Sequence, residues 1–274
     1  LWVLALVSAL ILTFRGSADT ALRVARNDDA TAHARALAES GVTLAILGLS
    51  DANAATRWRA DGTTHQLSQD GGTIEVSIED ENGKVDLNVA PPELFIGLFR
   101  ALGAKDADAT GIAAAIVNWR SGQDASADSN AAPVPRQFFD VSELAQIPGI
   151  SRDLFRAAAP FLTVYSFSPY INPMTAPAEV LRSLPGVDEG SIGPFLASRA
   201  NAGGDPTATP LLPGAGDIAV APVSTVTITA RARSAAGARF TLRAVVSLAA
   251  RQNAPFTILA WGQPRANGET TKSP

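Results

Sequence analysis

Apolar residues run from Leu1 to Phe14 with no charge among them. After Arg15 the pattern turns amphipathic and continues to about Ser50 without a proline, with Leu22, Ala25, Ala32, Ala36, Leu44 and Leu47 recurring along it. This spacing predicts one helix of about 50 residues, about 75 Å long and far beyond the diameter of a small domain. Its front half needs a non-aqueous partner. Asp19 stands four residues before Arg23, the favourable order for an ion pair on a helix surface. About 14 apolar residues is short for a membrane span, which takes about 20. The chain starts inside the run and without an initiator Met, so the span is expected to extend upstream. No small-residue cleavage site follows Phe14, which points to a retained segment rather than a removed signal peptide.

Strand signals follow the Asp61-Gly62 turn and sharpen at Thr73–Asp80, where Ile74, Val76 and Ile78 alternate with polar residues. The Asn82-Gly83 pair then predicts a type I′ hairpin, with Val85 and Leu87 continuing the alternation on its far side. Strand patterns vanish and return only at Ser224–Arg231, Arg239–Ser247 and Pro255–Trp261. Between them the pattern is helical, over Pro92–Leu102, Ala109–Arg120, Val141–Ile147, Arg152–Ala158 and Ala178–Leu184, with proline and glycine as punctuation. Two small isolated sheets are poor solutions for a chain of this size. The helical block is therefore expected to interrupt a single antiparallel sheet. The domains expected are a stalk over 1–50, the first part of the sheet over 51–88, an all-α insert over 89–217 and the last strands over 218–274. Asn201–Gly216, rich in Pro and Gly, is a long connection.

The 274 residues are 46% hydrophobic with a net charge of −4 and contain no cysteine, which excludes a disulfide framework, a thiol nucleophile and cysteine metal sites. His33 on the stalk and His65 in a polar strand or turn lack partners at metal or triad spacing, so both are expected at the surface. Glu79-Asp80-Glu81 with Asp86 could supply paired carboxylates. Its position on the Asn-Gly hairpin predicts a charged, solvent-facing turn instead. No Gly-x-Ser-x-Gly, phosphate-binding glycine loop or His-Glu-x-x-His occurs. No catalytic or cofactor-binding residue is expected, and the chain does not read as an enzyme.

Leu87-Asn88-Val-Ala-Pro-Pro-Glu-Leu94 recurs loosely as Ile171-Asn172-Pro-Met-Thr-Ala-Pro-Ala-Glu-Val180. In each copy proline and an early glutamate start a helix. Ile147-Pro-Gly-Ile150 and Leu184-Pro-Gly-Val187 resemble the turn of a helix-hairpin-helix. Ser151 and Asp188 replace its second glycine, and no basic run accompanies either copy, so nucleic acid is not an expected partner.

Taken in order, the stalk, Glu75–Asn88, Ile112–Arg120, Val141–Ile150 and Ile171–Pro177 resemble the general secretion pathway protein K family of type II secretion minor pseudopilins. The resemblance implies an α+β, type IV pilin-like fold: a long N-terminal helix, an antiparallel sheet and an inserted all-α domain. It implies a leader cut by a prepilin peptidase, a single-pass inner-membrane helix and a periplasmic head in a Gram-negative cell. It further implies a place with the I- and J-type minor pseudopilins at the tip of the secretion pseudopilus, serving protein export. Leu22, Leu37, Leu44 and Leu47 are the candidate partner-helix contacts, shared in an undecided way between partners and the chain's own sheet.

Relatives in this family are associated with calcium at an acid-rich loop. The corresponding loop here supplies Asp124, Asp128 and Asn130 as candidate ligands, a thin set against the six to eight oxygens calcium prefers, with Asp140 or a more distant residue needed to complete it. A second reading of the chain is a membrane-tethered periplasmic module that binds exported protein or peptide.

Overall fold

The computed structural model describes residues 2–53, 55–123, 134–201, 211–220, 222–249 and 254–264, with the side chains of 4–19 outside the description. Helix α1 spans Trp2–Leu49. Strands β1 (Asp61–Gln69) and β2 (Gly72–Asp80) follow. After the short strand β3 (Val85–Asp86) come α2 (Pro92–Ala101), α3 (Asp106–Ser121), α4 (Arg152–Ala158), the short strand β4 (Leu162–Thr163), α5 (Ala178–Ser183) and α6 (Glu189–Asn201). The chain then returns through β5 (Thr225–Arg233), β6 (Arg239–Ser247) and β7 (Thr257–Gly262).

As the patterning predicts, the early and late strands share one antiparallel sheet, in the order β1-β2-β5-β6-β7. Strand β5, the first after the helical insert, pairs with β2, so the chain leaves and re-enters the sheet at one point. Ile74, Val76, Ile78, Val226, Ile228, Ala230, Leu242, Ala244 and Val246 form one buried face. Helix α1 lies on that face through Ala30, Ala34, Leu37, Ala38, Val42 and Ala45. These small residues recur at three- and four-residue steps and make a flat stripe that lets the helix approach closely. Gly41 lies at one close approach, where an added Cβ would come within 2.8 Å of Ile74 Cγ2.

The insert has its own core, with Phe95, Phe99, Ile116, Leu144 and Leu181 fully buried. Helix α2 contributes Leu94, Phe95, Leu98 and Phe99 at helical spacing. Its start matches the proline device, with Pro92 in the first turn and Glu93 near the positive end of the dipole. The two Pro-Gly turns hold Gly149 at φ 88° and Gly186 at φ 81°, conformations that strongly favour glycine. Helix α6 was not among the elements expected, because Gly190, Gly193 and Pro194 read as stops. Burial of Ile192 and Phe195 outweighs the poor local propensity.

The Asn82-Gly83 hairpin is not formed. The β2 hairpin partner is β1, joined through Asp70 (φ 49°) and Gly71 (φ 74°), both left-handed as a type I′ turn requires. At Glu81–Gly83 the chain instead makes a 3₁₀ turn capped by the Asp80 side chain, leaves the sheet, and pairs Val85–Asp86 in parallel with Leu162–Thr163. Gly83 serves close approach rather than a positive φ: an added Cβ would come within 3.0 Å of the Thr175 backbone.

Candidate interaction surfaces

The acidic cluster expected in solvent is buried. Asp80 is 2%, Glu81 1% and Asp86 0% exposed, and only Glu79 retains an open side chain. Asp80 continues the alternation of Ile74, Val76 and Ile78 and therefore points inward with them. Its Oδ1 accepts from Asn82 N at 3.0 Å, while Oδ2 accepts from Asn172 Nδ2 at 3.1 Å and Thr175 Oγ1 at 2.9 Å. One carboxylate thus ties the end of β2 to the segment between β4 and α5.

Glu81 makes the second tie. Its Oε1 accepts from Lys84 Nζ at 2.9 Å and from Thr227 Oγ1 of β5 at 2.7 Å, and its Oε2 accepts from Thr163 Oγ1 of β4. Lys84 Nζ also lies 2.8 Å from Glu79 Oε2. Asp86 makes the third tie, accepting from Asn88 N at 2.8 Å through Oδ1, and from Ser166 Oγ and Phe167 N at 3.0 Å through Oδ2. Asn88 then brackets Phe138, accepting its N–H at 2.7 Å and donating to its carbonyl at 3.0 Å. These ties form a neck between sheet and insert. The sequence echo is functional at this level, since Asn88 and Asn172 each fix the chain just ahead of a proline-started helix.

Burial pushes the Asp80 carboxyl upward, the neighbouring Glu81 carboxylate adds to that rise, and its three hydrogen bonds do not cancel it. Burial also pushes Glu81 upward, but the Lys84 ammonium and the hydroxyls of Thr163 and Thr227 outweigh it and hold the carboxyl below its ordinary 4.5. For Lys84 burial acts downward, and the carboxylates of Glu81 and Glu79 raise the ammonium above its ordinary 10.5. The lowered Glu81 contributes stability in full above pH 4.5, lost as pH falls through its folded value; the raised Lys84 contributes below pH 10.5, lost as pH rises through its own. Asp80 acts in the opposite sense to Glu81, its ionised form subtracting stability above its raised folded value. Urea midpoints measured against pH are expected to rise on mild acidification and then fall below pH 4.5. In Asp80→Asn the initial rise is absent and the later fall remains.

The stalk leucines divide by face. Leu37 is 2% exposed and packs on the sheet, so it belongs to the chain's own core rather than to a partner contact. Leu44 is half-buried, whereas Leu22 (56%) and Leu47 (63%) stand in solvent. Every residue from Thr20 to Asp29 is exposed, because α1 meets its own sheet only from Ala30 onward. Among the described residues no helix is long and apolar enough to cross a membrane. The apolar run 1–14 enters the description mostly as helical backbone.

The candidate calcium ligands Asp124, Asp128 and Asn130 lie outside the described residues. Asp140 is occupied in capping the 3₁₀ turn Val141–Gln146, accepting from Ser142 N at 2.8 Å. Among the described residues no three acidic, His or Cys side chains gather where they could hold a metal ion. His65 is not a plain surface histidine: its ring stacks on Trp58 with centroids 3.9 Å apart, and burial lowers its basicity.

Residues 67–167 match the family model described as type II secretion system (T2SS), protein K. The structure is similar to a chain in the crystal structure of the GspK-GspI-GspJ complex from the enterotoxigenic Escherichia coli type 2 secretion system. The TM-score is 0.56 at 14% identity, over 91% of this chain and 100% of that one. At this identity the likeness is one of fold. Among curated proteins none matches the chain.

Proposed function

We propose that the chain is a minor pseudopilin of the pseudopilus tip, a structural member rather than an enzyme of the type II secretion system protein K family whose model its residues 67–167 match. In this reading the apolar start of α1 is held in the inner membrane of a Gram-negative cell and the head stands in the periplasm. The helix packs against the helices of I- and J-type minor pseudopilins, and the assembly serves protein export. The observation that carries it is the exposed stretch of α1: ten residues from Thr20 to Asp29 extend past the sheet, with Leu22 and Val24 more than half exposed. A helix that protrudes with apolar side chains in water needs other helices beside it. The fold relative supports the choice of neighbours, since it was solved in complex with GspI and GspJ.

Variants on the two faces of α1 test this with soluble domains begun after residue 14. Leu22→Glu combined with Leu47→Glu is expected to weaken association with the I- and J-type domains by about tenfold or more, as loss of contact anchors does, with an unchanged melting temperature. Titration calorimetry and thermal denaturation read the two effects. Association unaffected by both charges would remove α1 as the docking element.

A further inference from the structure

The loop that follows β4 displays an aromatic ring at a backbone position that disfavours it. Phe167 has φ 52° yet is neither glycine nor asparagine, and its side chain is 69% exposed. A bulky residue in the left-handed region is strained, and such strain persists only where the surroundings impose it. Here Asp86 imposes it: the fully buried carboxylate accepts from both Ser166 Oγ and Phe167 N at 3.0 Å. Ser168 fixes the rest of the loop, its Oγ donating to the Tyr170 carbonyl at 3.0 Å and accepting the Tyr170 N–H at 3.1 Å. Tyr170 is itself 49% exposed. Glycine or asparagine at 167 would relieve the backbone and remove an apolar ring from water. Among the described residues Phe167 joins neither hydrophobic cluster, which directs the search for its advantage outside the chain.

The position of the loop selects the partner. Thr163 is held by Glu81, residues 166 and 167 by Asp86, and Asn172 by Asp80 and by the Asn82 carbonyl. The ring therefore stands at the neck, at the end of the sheet where Asp80 N bonds Ala60 O and α1 has just ended. A subunit packed alongside, helix against α1 and head beside the sheet, meets the neck directly.

We infer that Phe167, flanked by Tyr170, is an anchor that inserts into an apolar socket on a neighbouring minor pseudopilin. This rests on the tip-subunit reading and names a contact within it. Rigid, pre-positioned aromatic side chains lose little freedom on binding and dominate protein contacts. Phe167→Gly and Phe167→Asn are measured for melting temperature, and for affinity toward the soluble I- and J-type domains by calorimetry. Both variants are expected to melt no lower than the parent while binding at least one of the two domains about tenfold or more weakly. Parent-like affinity in both variants, with the parent complex forming normally, would overturn the anchor and leave the tip reading intact. Melting below the parent in both would instead make Phe167 a structural residue and also overturn it. A parent chain that binds neither domain would count against the tip reading, and the anchor falls with it.

Discussion

Lys84→Met is expected to destabilise the folded chain by about 3–5 kcal/mol, the usual result of removing one partner from a buried ion pair. The methionine can fill the space of the lysine stem. What it cannot do is balance Glu81, which is 1% exposed and would keep only the hydroxyls of Thr163 and Thr227. Without the ammonium, burial raises the Glu81 carboxyl in the folded state. The deficit is therefore greatest at neutral pH and shrinks as pH falls through that raised value. Pairing Lys84→Met with Glu81→Gln removes both charges and is expected to recover much of the loss, because two neutral groups cost far less to bury than one carboxylate. Urea denaturation of the parent and both variants at two pH values checks each step. A Lys84→Met midpoint equal to the parent would show that the pair does not hold the neck.

Gly97→Val is the second large effect. Gly97 lies in the middle of α2 and packs directly on the Ser183 carbonyl at the end of α5, where an added Cβ would collide with backbone. No rotamer relieves a clash between a Cβ and a carbonyl, so the helices must separate. The buried ring of side chains around Phe95, Phe99, Val180 and Leu181 then loosens. The cost is expected to reach about 3 kcal/mol, the upper part of the range for overpacking. Hydrogen exchange should find α2 and α5 losing protection while β2, β5 and β6 keep theirs, since the sheet and α1 are buried in a separate cluster. Equal loss across both regions would mean that insert and sheet open as one unit.

The strands and the stalk were legible because a buried face leaves a period in the sequence. Alternation at Ile74, Val76 and Ile78, and again along β5 and β6, predicts one sheet interrupted by helices. The error at Asn82-Gly83 came from giving a local turn preference priority over that period. Continued by one step, the period places Asp80 inward, and a buried carboxylate at the strand's end needs partners. It finds them in Asn172 and Thr175, some ninety residues on. Such partners carry no local signal, so the neck could not be assembled from the sequence. The same holds for Phe167: Ser-Phe-Ser-Pro-Tyr reads as an ordinary loop until Asp86 is placed beneath it. Helix α6 escaped for the converse reason, its glycines and proline arguing locally against a helix that burial of Ile192 and Phe195 enforces.

The face of α1 is an intermediate case. Its apolar residues were evident, but Leu37 and Leu47 are equally plausible partner contacts until the sheet claims one of them. Small residues, not leucines, make most of the internal stripe. Leucines left outside that stripe are then the ones available to another subunit.

Light scattering on the soluble domain begun after residue 14, mixed with the soluble domains of I- and J-type minor pseudopilins from the same organism, tests the central claim most directly. The account predicts one stable complex with a mass equal to the sum of one copy of each. Three separate species at micromolar concentration would contradict it, and would favour a tethered module that recognises exported protein.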